Sequence, residues 1–290
     1  MRTFTQISAL RTYLRGLRLE GKEIGFVPTM GALHEGHLSL VQRAARDCDL
    51  VVLSIYVNPR QFGPNEDFEA YPRDLQRDLQ MASSAGVDAV LIPTNEEMYP
   101  NGYQTVVQLP ELGSLLDGTH RPGHFDGVAT VVCKLLNIVQ PDRAFFGQKD
   151  YQQLRVIEQM VLDLNLPCKI VMAPTVRAED GLALSSRNSY LNDKERLAAT
   201  VIHRSLCAVV ELTVRGEKRP KVLEECMREI LETEPLLKLQ YATIVTPETL
   251  QPAPEEGLER MVALVAAHVG RTRLIDNEVL VAETRFKDLS

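Results

Sequence analysis

The chain has 290 residues, 44% of them hydrophobic and 24% charged, and a formal net charge of −7. This composition is typical of a globular protein with one large domain or two modest ones, and the negative charge argues against sequence-independent nucleic-acid binding. No apolar run reaches the roughly 18–20 residues that cross a bilayer, so we expect a cytoplasmic protein with neither a nucleic-acid nor a membrane partner.

Short β-like runs alternate with helical patterns through the first 176 residues. The predicted strands are Ile24–Val27, Leu50–Val57, Ala89–Ile92, Arg143–Phe146 and Lys169–Met172. The predicted helices are Leu38–Arg46, Leu75–Ala85, Val128–Val139 and Tyr151–Leu164. This alternation predicts βαβ units in an α/β fold with a mostly parallel sheet. Ligands of such sheets bind outside the carboxyl ends of the strands, so the turns after three of these strands (28–37, 58–62 and 147–150) are expected to converge on one cleft.

The pattern changes after residue 176, which predicts one domain over 1–176 and a second over 177–290. In the second part, Asn192 opens a long helical pattern that ends at Val214, and Pro220–Glu232 is a further predicted helix. Two β-like runs follow, Leu239–Val245 and Met261–Val269. These elements predict a smaller α+β domain.

Two histidines flank Gly36 in the turn that follows the first predicted strand. Backbone N–H groups and the imidazoles of His34 and His37 at the start of a helix favour an anion, and phosphate is the obvious candidate. Gly36 allows close approach of the backbone to a ligand. A solvated helix start is the structural alternative. A zinc site is a weaker one, because the two histidines are one residue closer than in His-Glu-x-x-His.

Two further loops carry groups suited to phosphate. Lys149 and Asp150 follow a strand that ends at Gly147, so Lys149 can meet a phosphate oxygen and Asp150 a hydroxyl or a metal. The alternative is that Asp150 only caps the next helix. In the loop 184–188, two hydroxyls and the guanidinium of Arg187 make a donor cluster suited to an oxyanion.

A His-x-Gly-His motif with a downstream Ser-rich basic loop resembles the adenylate-forming nucleotidyltransferases, a group that includes the class I aminoacyl-tRNA synthetases. Four strings in order narrow this resemblance to the pantothenate synthetase family, covering the chain from about residue 20 to 190. They are Pro-Thr-Met-Gly-Ala-Leu-His-Glu-Gly-His (28–37), Tyr-Val-Asn-Pro-Arg-Gln-Phe (56–62), Phe-Gly-Gln-Lys-Asp-Tyr-Gln-Gln (146–153) and Leu-Ser-Ser-Arg-Asn (184–188).

The resemblance implies a two-step ligase. Pantoate attacks the α-phosphorus of Mg·ATP to give pantoyl adenylate and pyrophosphate, and β-alanine then displaces AMP to form pantothenate. It also implies a Rossmann-like first domain with helices on both faces of its sheet, a smaller C-terminal lid domain and a homodimer.

The resemblance also implies roles for single residues. Those implied for ATP are Met30, Gly31, Ala32, Leu33, His34, Glu35, Gly36, His37, Gly147, Gln148, Lys149, Asp150, Val176, Leu184, Ser185, Ser186 and Arg187. Those implied for the other substrates are Asn58, Gln61 and Gln153 at pantoate, and Arg121 and His124 near β-alanine. The predicted catalytic residues, which stabilise charge on the leaving pyrophosphate, are His34, His37, Lys149, Ser185, Ser186 and Arg187. Asp78 is the candidate Mg²⁺ ligand.

Two other functions share part of this pattern. A class I aminoacyl-tRNA synthetase has the same histidine motif but must also grip a polyanionic tRNA, and this acidic chain has no basic patch for it. A non-catalytic nucleotide sensor would bind ATP without releasing pyrophosphate, but such a sensor has no need of the amides of Gln61 and Gln153.

Overall fold

A computed structural model describes residues 1–64 and 66–282. The chain divides into two compact units, Met1–Val176 and Arg177–Ser290. Each unit has its own sheet.

The first unit is built on a six-stranded sheet in which every neighbouring pair is parallel. Its strands are β1 (Arg2–Phe4), β2 (Ile24–Thr29), β3 (Leu50–Ile55), β4 (Ala89–Leu91), β5 (Arg143–Gly147) and β6 (Lys169–Ala173). They lie in the order β1-β4-β3-β2-β5-β6. All residues of β3 are buried, as expected for a strand covered on both faces.

Helices flank this sheet in two groups. They are α1 (Ile7–Leu19), α2 (Glu35–Asp47), α3 (Leu75–Ser84), α4 (Asn95–Met98), α5 (Asp117–His120), α6 (His124–Val139) and α7 (Tyr151–Asp163). Helix α6 contacts α1 and α7, whereas α2 contacts α3. The predicted α/β fold with a parallel sheet flanked by helices is confirmed.

The strand order decides where a ligand can bind. From β2 the chain moves outward in one direction through β3 to β4, and it then returns to the other side of β2 to form β5 and β6. The crevice at such a reversal, at the carboxyl ends of the strands, is where open α/β sheets bind ligands. The turns after β2 and β5 both begin at this reversal, and they carry His34 and Lys149.

Some predicted boundaries were wrong, and β1, α1, α4 and α5 of this unit were not predicted. Helix α2 begins at Glu35 rather than Leu38, and α6 at His124 rather than Val128, because glycines near both starts read as loop in sequence. The Arg-rich segment near the N-terminus forms β1 and α1. In α1 the buried residues Leu10 and Leu14 recur at helical spacing, so the apolar stripe was present but narrow.

The second unit contains a three-stranded antiparallel sheet and two helices. The elements are α8 (Asp193–Val214), α9 (Pro220–Glu232), β7 (Leu237–Val245), β8 (Arg260–Val269) and β9 (Thr272–Val281). The start of α8 is fixed by a capping box, in which Asn192 and Glu195 each accept a backbone hydrogen bond from the other. Strand β9 was not predicted, because charged residues interrupt its alternation.

By length and composition, α8 could cross a membrane. In this fold it is instead the core helix of the second unit, where it packs against α9 and the antiparallel sheet. Its buried face includes Ile202, Leu206 and Val209.

Candidate active site

The turn after β2 brings two imidazoles to the N-terminus of α2. His34 is the N-cap residue, and its Nδ1 accepts a hydrogen bond from the backbone N–H of Gly36 at 3.2 Å. The Nδ1 of His37 accepts from the backbone N–H of His34 at 3.3 Å. The two ring centroids lie 4.1 Å apart.

These hydrogen bonds determine the tautomer of each neutral ring. A nitrogen that accepts an N–H bond carries no proton, so the proton of both His34 and His37 must be on Nε2. Each ring therefore has an Nε2–H donor. Together with the N-terminus of α2, the two donors suit an anion such as a phosphate group.

Both histidines are neutral at neutral pH. Burial, helped by the positive charge of Lys149, lowers the pKa of His34 to about 4. Burial and the neighbouring His34 lower the pKa of His37 to about 3. Arg77 on α3 also lowers the pKa of His34, whereas Asp150 raises the pKa of both rings. The predicted Lys149 and Asp150 therefore lie within electrostatic range of the histidines.

Lys149 and Asp150 lie in a 3₁₀ turn, Gln148–Asp150, between β5 and α7. The Nζ atom of Lys149 is 3.4 Å from Oδ1 of Asp150. Asp150 occupies the N-cap position of α7, but its side chain makes no capping hydrogen bond. A purely structural capping role for Asp150 is therefore not supported. The turn adds a cation to the site that already holds the two imidazole donors.

Asp78 on α3 holds the backbone of the histidine turn. It is 1% exposed, and its two carboxylate oxygens accept the backbone N–H groups of Ala32 at 2.9 Å and Leu33 at 2.7 Å. Ala32 has a φ of 50°, a conformation that costs energy for a residue with a Cβ. A Cβ on Gly31 would lie 2.8 Å from Oδ2 of Asp78. The sequence pattern carried no signal for this contact.

Each carboxylate oxygen of Asp78 accepts one backbone hydrogen bond and the side chain is buried, so its contacts support a role in holding the turn, and its role as a Mg²⁺ ligand stays a prediction. Within residues 1–64 and 66–282, no group of three or more His, Cys, Asp or Glu side chains could hold a metal ion. Mg²⁺ is commonly held by substrate phosphates and water with only one or two carboxylates. No residue is therefore assigned to it.

Gln61 lies in a 3₁₀ turn after β3 and is 8% exposed. Its Oε1 accepts a hydrogen bond from Nδ2 of Asn58 at 3.1 Å, and its Nε2 lies 3.1 Å from Sδ of Met30. Asn58 also donates to the carbonyl oxygen of Gly127 and accepts from Tyr99 and from the backbone of Arg60. The Asn58 amide thus has all four of its hydrogen bonds inside the protein, so it orients Gln61 and has none left for a ligand.

Arg121 and His124 converge on the backbone of the same glutamine. Nδ1 of His124 is 2.7 Å from the carbonyl oxygen of Gln61, and NH1 of Arg121 is 2.9 Å from Nε2 of His124. Since a carbonyl only accepts, Nδ1 carries the proton of His124, and Arg121 donates to Nε2. Burial and the charge of Arg121 lower the pKa of His124 to about 4.

Glu66 completes this group and was missed by sequence reasoning. Its carboxylate takes two hydrogen bonds from Arg121, from Nε at 2.7 Å and from NH2 at 2.5 Å. Although burial opposes ionisation, the bonds and charge of Arg121 lower the pKa of Glu66. The guanidinium of Arg121 therefore bonds Glu66 and His124. Through His124 it supports the backbone of Gln61.

The two glutamines at the start of α7 differ in their surroundings. Gln152 is buried, and its amide bonds the carbonyl oxygens of Leu112 and Leu115 and the N–H of Asp117. Gln153, the predicted substrate residue, is only half-buried. Gln152 therefore holds the segment before α6 in place, and Gln153 is the more accessible of the two.

The predicted residues 184–187 belong to the second unit. Ser185 is the N-cap of a 3₁₀ turn, Ser186–Tyr190, and its Oγ accepts the backbone N–H of Arg187 at 3.3 Å. The amide of Asn188 donates to the carbonyl of Ala183 at 3.0 Å. These bonds shape the loop. Val176, the remaining predicted ATP residue, ends the first unit.

Comparison with known proteins places this architecture among close relatives. A family model described as pantoate-beta-alanine ligase matches residues 2–279. A pantothenate synthetase of Carboxydothermus hydrogenoformans is 52% identical over 281 residues, which are 97% of this chain and 99% of the relative. One from Aquifex aeolicus is also 52% identical, over 94% of this chain and 97% of the relative.

Solved structures agree with this result. The crystal structure of pantothenate synthetase from Thermus thermophilus matches with a TM-score of 0.91 and 48% identity, covering 96% of this chain and 99% of that chain. A pantoate-beta-alanine ligase from Francisella tularensis, complexed with beta-gamma ATP and beta-alanine, matches with a TM-score of 0.78 and 36% identity, covering 98% of each chain.

Proposed function

This chain belongs to the pantoate–β-alanine ligase family, and on that premise we propose how its residues carry out the family's reaction. The protein is an ATP-dependent ligase that condenses pantoate with β-alanine to give pantothenate. The family assignment sets aside the tRNA synthetase and the non-catalytic nucleotide sensor.

In the first step, a carboxylate oxygen of pantoate attacks the α-phosphorus of ATP. A bond forms between that oxygen and the phosphorus, the bond to the bridging oxygen breaks, and pyrophosphate leaves with the electron pair. The chain must then stabilise negative charge on the leaving group. The observation that carries this proposal is the pair of Nε2–H donors on His34 and His37, with Lys149 close by. Fixed donors of this kind are the main protein contribution to nucleotidyl transfer.

In the second step, the amine of β-alanine attacks the acyl carbon of pantoyl adenylate. The bond from carbon to the AMP oxygen breaks, AMP leaves, and the amine loses a proton. No covalent intermediate on the protein is needed, so no nucleophilic side chain has to be supplied. Asp150 is suited to a hydroxyl of the nucleotide, and Gln61 and Gln153 to the hydroxyl and carboxylate groups of pantoate.

We assign the histidines to hydrogen bonding rather than to proton transfer. In the free protein both rings are neutral near pH 7, because their pKa values are about 4 and about 3. A neutral imidazole keeps its Nε2 proton while donating a hydrogen bond. His34 and His37 then act as preorganised donors at the triphosphate, and Lys149 adds positive charge.

We further propose that the second unit closes over ATP through residues 184–187. Ser185, Ser186 and Arg187 supply two hydroxyls and a guanidinium, which suit a triphosphate. We also propose a cytoplasmic homodimer. The family resemblance supports the closure over ATP and the homodimer. Analytical ultracentrifugation tests the dimer.

The assay that tests this function follows pyrophosphate and AMP separately. With ATP and pantoate alone, we expect pyrophosphate release that is limited to the enzyme-bound adenylate. Addition of β-alanine gives continuous AMP release and pantothenate. AMP release that does not depend on pantoate would overturn the proposal.

A further inference from the structure

We propose that Tyr99, acting through Asn58, holds the Gln61 side chain with its NH₂ group turned toward the acid substrate. The pantoate subsite then selects a hydrogen-bond acceptor. Tyr99 is a positioning residue, since it acts through another side chain. The proposal rests on the proposed function, because it takes Gln61 as a contact of pantoate.

Two backbone groups decide which end of the Asn58 amide faces which way. The carbonyl oxygen of Gly127 only accepts, so the atom 3.1 Å from it must be Nδ2. The N–H of Arg60 only donates, so the atom 3.3 Å from it must be Oδ1. Neither contact is satisfied if the amide is reversed. These two contacts therefore identify the orientation of the Asn58 amide, which is 1% exposed.

The orientation of Asn58 then decides that of Gln61. Nδ2 of Asn58 has a second hydrogen, which it donates to Oε1 of Gln61 at 3.1 Å. The NH₂ group of Gln61 must point the other way, and there its hydrogen-bond partner among the described residues is the thioether of Met30 at 3.1 Å. A thioether is a weak acceptor, so a carboxylate or hydroxyl oxygen of a ligand readily takes its place.

Tyr99 supplies the strong bond that keeps Asn58 in this state. Its hydroxyl donates to Oδ1 of Asn58 at 2.9 Å, whereas the bond from Arg60 is longer. Burial raises the pKa of Tyr99, so its hydroxyl keeps its proton throughout the working pH range.

The ring of Tyr99 is itself fixed in position. The guanidinium of Arg60 lies 4.7 Å from its centroid and the ammonium of Lys134 lies 5.7 Å from it. Tyr103 meets it edge-on at 5.0 Å. The hydroxyl of Tyr99 is therefore held at Asn58 by packing on several sides.

A donor at this position has a consequence for substrate selection. Both substrates carry a carboxylate. The enzyme must activate the carboxylate of pantoate and leave that of β-alanine unreacted. An NH₂ group accommodates the hydroxyl oxygens of pantoate but opposes the ammonium of β-alanine, which can only donate. Buried polar groups left unpaired by the wrong substrate give strong discrimination. The amide of Gln61 thus helps keep β-alanine out of the acid subsite.

The test compares Tyr99→Phe with Tyr103→Phe. The two tyrosines share the same aromatic group and the same cations, but only Tyr99 bonds Asn58. For Tyr99→Phe we expect the KM for pantoate to rise about 5–10-fold, the loss of one neutral hydrogen bond. The kcat and the KM values for ATP and β-alanine should stay within about twofold, and Tyr103→Phe should match the wild type in all of them.

A second variant, Asn58→Leu, removes the relay. Leucine is close to asparagine in size and neither donates nor accepts, so the Gln61 amide loses the bond that orients it. We expect a larger rise in the KM for pantoate than for Tyr99→Phe. An unchanged KM for pantoate in Tyr99→Phe, or equal effects in Tyr99→Phe and Tyr103→Phe, overturns the proposal.

A readout without substrate separates the relay from the proposed function. The side-chain ¹⁵N–¹H₂ resonances of Gln61 and Asn58 should shift in Tyr99→Phe and stay unchanged in Tyr103→Phe. Unshifted resonances in Tyr99→Phe overturn the relay. Failure of the wild-type protein to release pyrophosphate with pantoate overturns the function instead, and the resonances still decide the relay.

Discussion

The ring centroids of His34 and His37 lie 4.1 Å apart, and each ring has its Nδ1 occupied by a backbone N–H. Backbone N–H groups at the start of α2 therefore fix the orientation of both rings. One arrangement caps α2, sets both tautomers and leaves two Nε2–H donors at a helix N-terminus. The bonds that orient the two rings are thus made within the motif itself, and we predict that this pair binds phosphate.

The tautomers and pKa values of these rings can be measured directly. Long-range ¹H–¹⁵N NMR spectra of the free protein should show His34 and His37 as neutral Nε2–H tautomers at pH 7. Their titrations should have midpoints of about 4 for His34 and about 3 for His37, because burial disfavours the charged form. A midpoint near the ordinary value of about 6.5 for either ring would contradict this account of the site.

The same shifts make folding stability depend on pH. In the unfolded chain both imidazoles take up protons below about pH 6.5, whereas in the folded chain they do so only near pH 4 and pH 3. Their contribution to stability is thus complete above pH 6.5 and falls with pH by at most about 1.4 kcal/mol per unit per histidine. In urea unfolding from pH 7 to pH 4, a His34→Gln, His37→Gln double variant should lose less stability than the wild type. An equal slope for both proteins would refute the assignment.

Removal of one donor should slow the adenylation step. We expect His37→Ala to lower kcat by about 10²–10³-fold, as for the loss of one oxyanion-hole donor. His37→Gln places an amide N–H near the position of Nε2 and should recover part of that loss. Pre-steady-state measurement of pyrophosphate release checks both variants. Full activity of His37→Ala would remove this side chain from the mechanism.

Asp78 supports the histidine turn through the backbone, and the chain offers a matched control. In Asp78→Asn, one of the two backbone donors at Ala32 and Leu33 faces an NH₂ group in place of an acceptor. A buried donor without a partner costs about 1–3 kcal/mol, so kcat/KM for ATP should fall by about 5–100-fold. Asp74→Asn, at the N-cap of the same helix, should be nearly neutral because asparagine caps as well as aspartate. Equal effects of the two substitutions would argue against this role for Asp78.

Glu66 holds Arg121, which in turn helps hold the backbone of Gln61. Glu66→Gln removes the charge partner of a guanidinium that is only 15% exposed, so we expect a loss of about 1–3 kcal/mol in unfolding free energy and a higher KM for pantoate. Asp47→Asn is a suitable control, because its partner Arg43 is 43% exposed and such pairs contribute little. A KM for pantoate that is unchanged in Glu66→Gln would show that the pair serves stability alone.

Much of the fold could be predicted from local sequence. The apolar run that became β3 and the Asn192 cap depend on residues close together in the chain. Strand β2 runs through Pro28 to Thr29, so the break expected at that proline was placed too early. The starts of α2 and α6 could not be predicted well, because Gly36 and Gly127 look like loop residues in sequence. A Cβ on Gly127 would lie 2.3 Å from the carbonyl oxygen of Arg60, so this glycine is required by packing of α6 against the turn after β3.

The sequence by itself determined the alternating α/β pattern, the histidine motif and the chemistry that these residue types favour, because period, turn and cap signals are local. Only the tertiary structure decided what the polar residues do. Asn58, Arg121 and His124 looked like ligand contacts, yet they converge on Gln61, and Asp78, the candidate metal ligand, holds a turn. These bonds join residues up to 63 positions apart, so their partners exist only once the strand order has brought the loops together. Among the described residues, the Nε2–H groups of His34 and His37 and the NH₂ group of Gln61, which meets only the weak acceptor of Met30, stay available to a ligand.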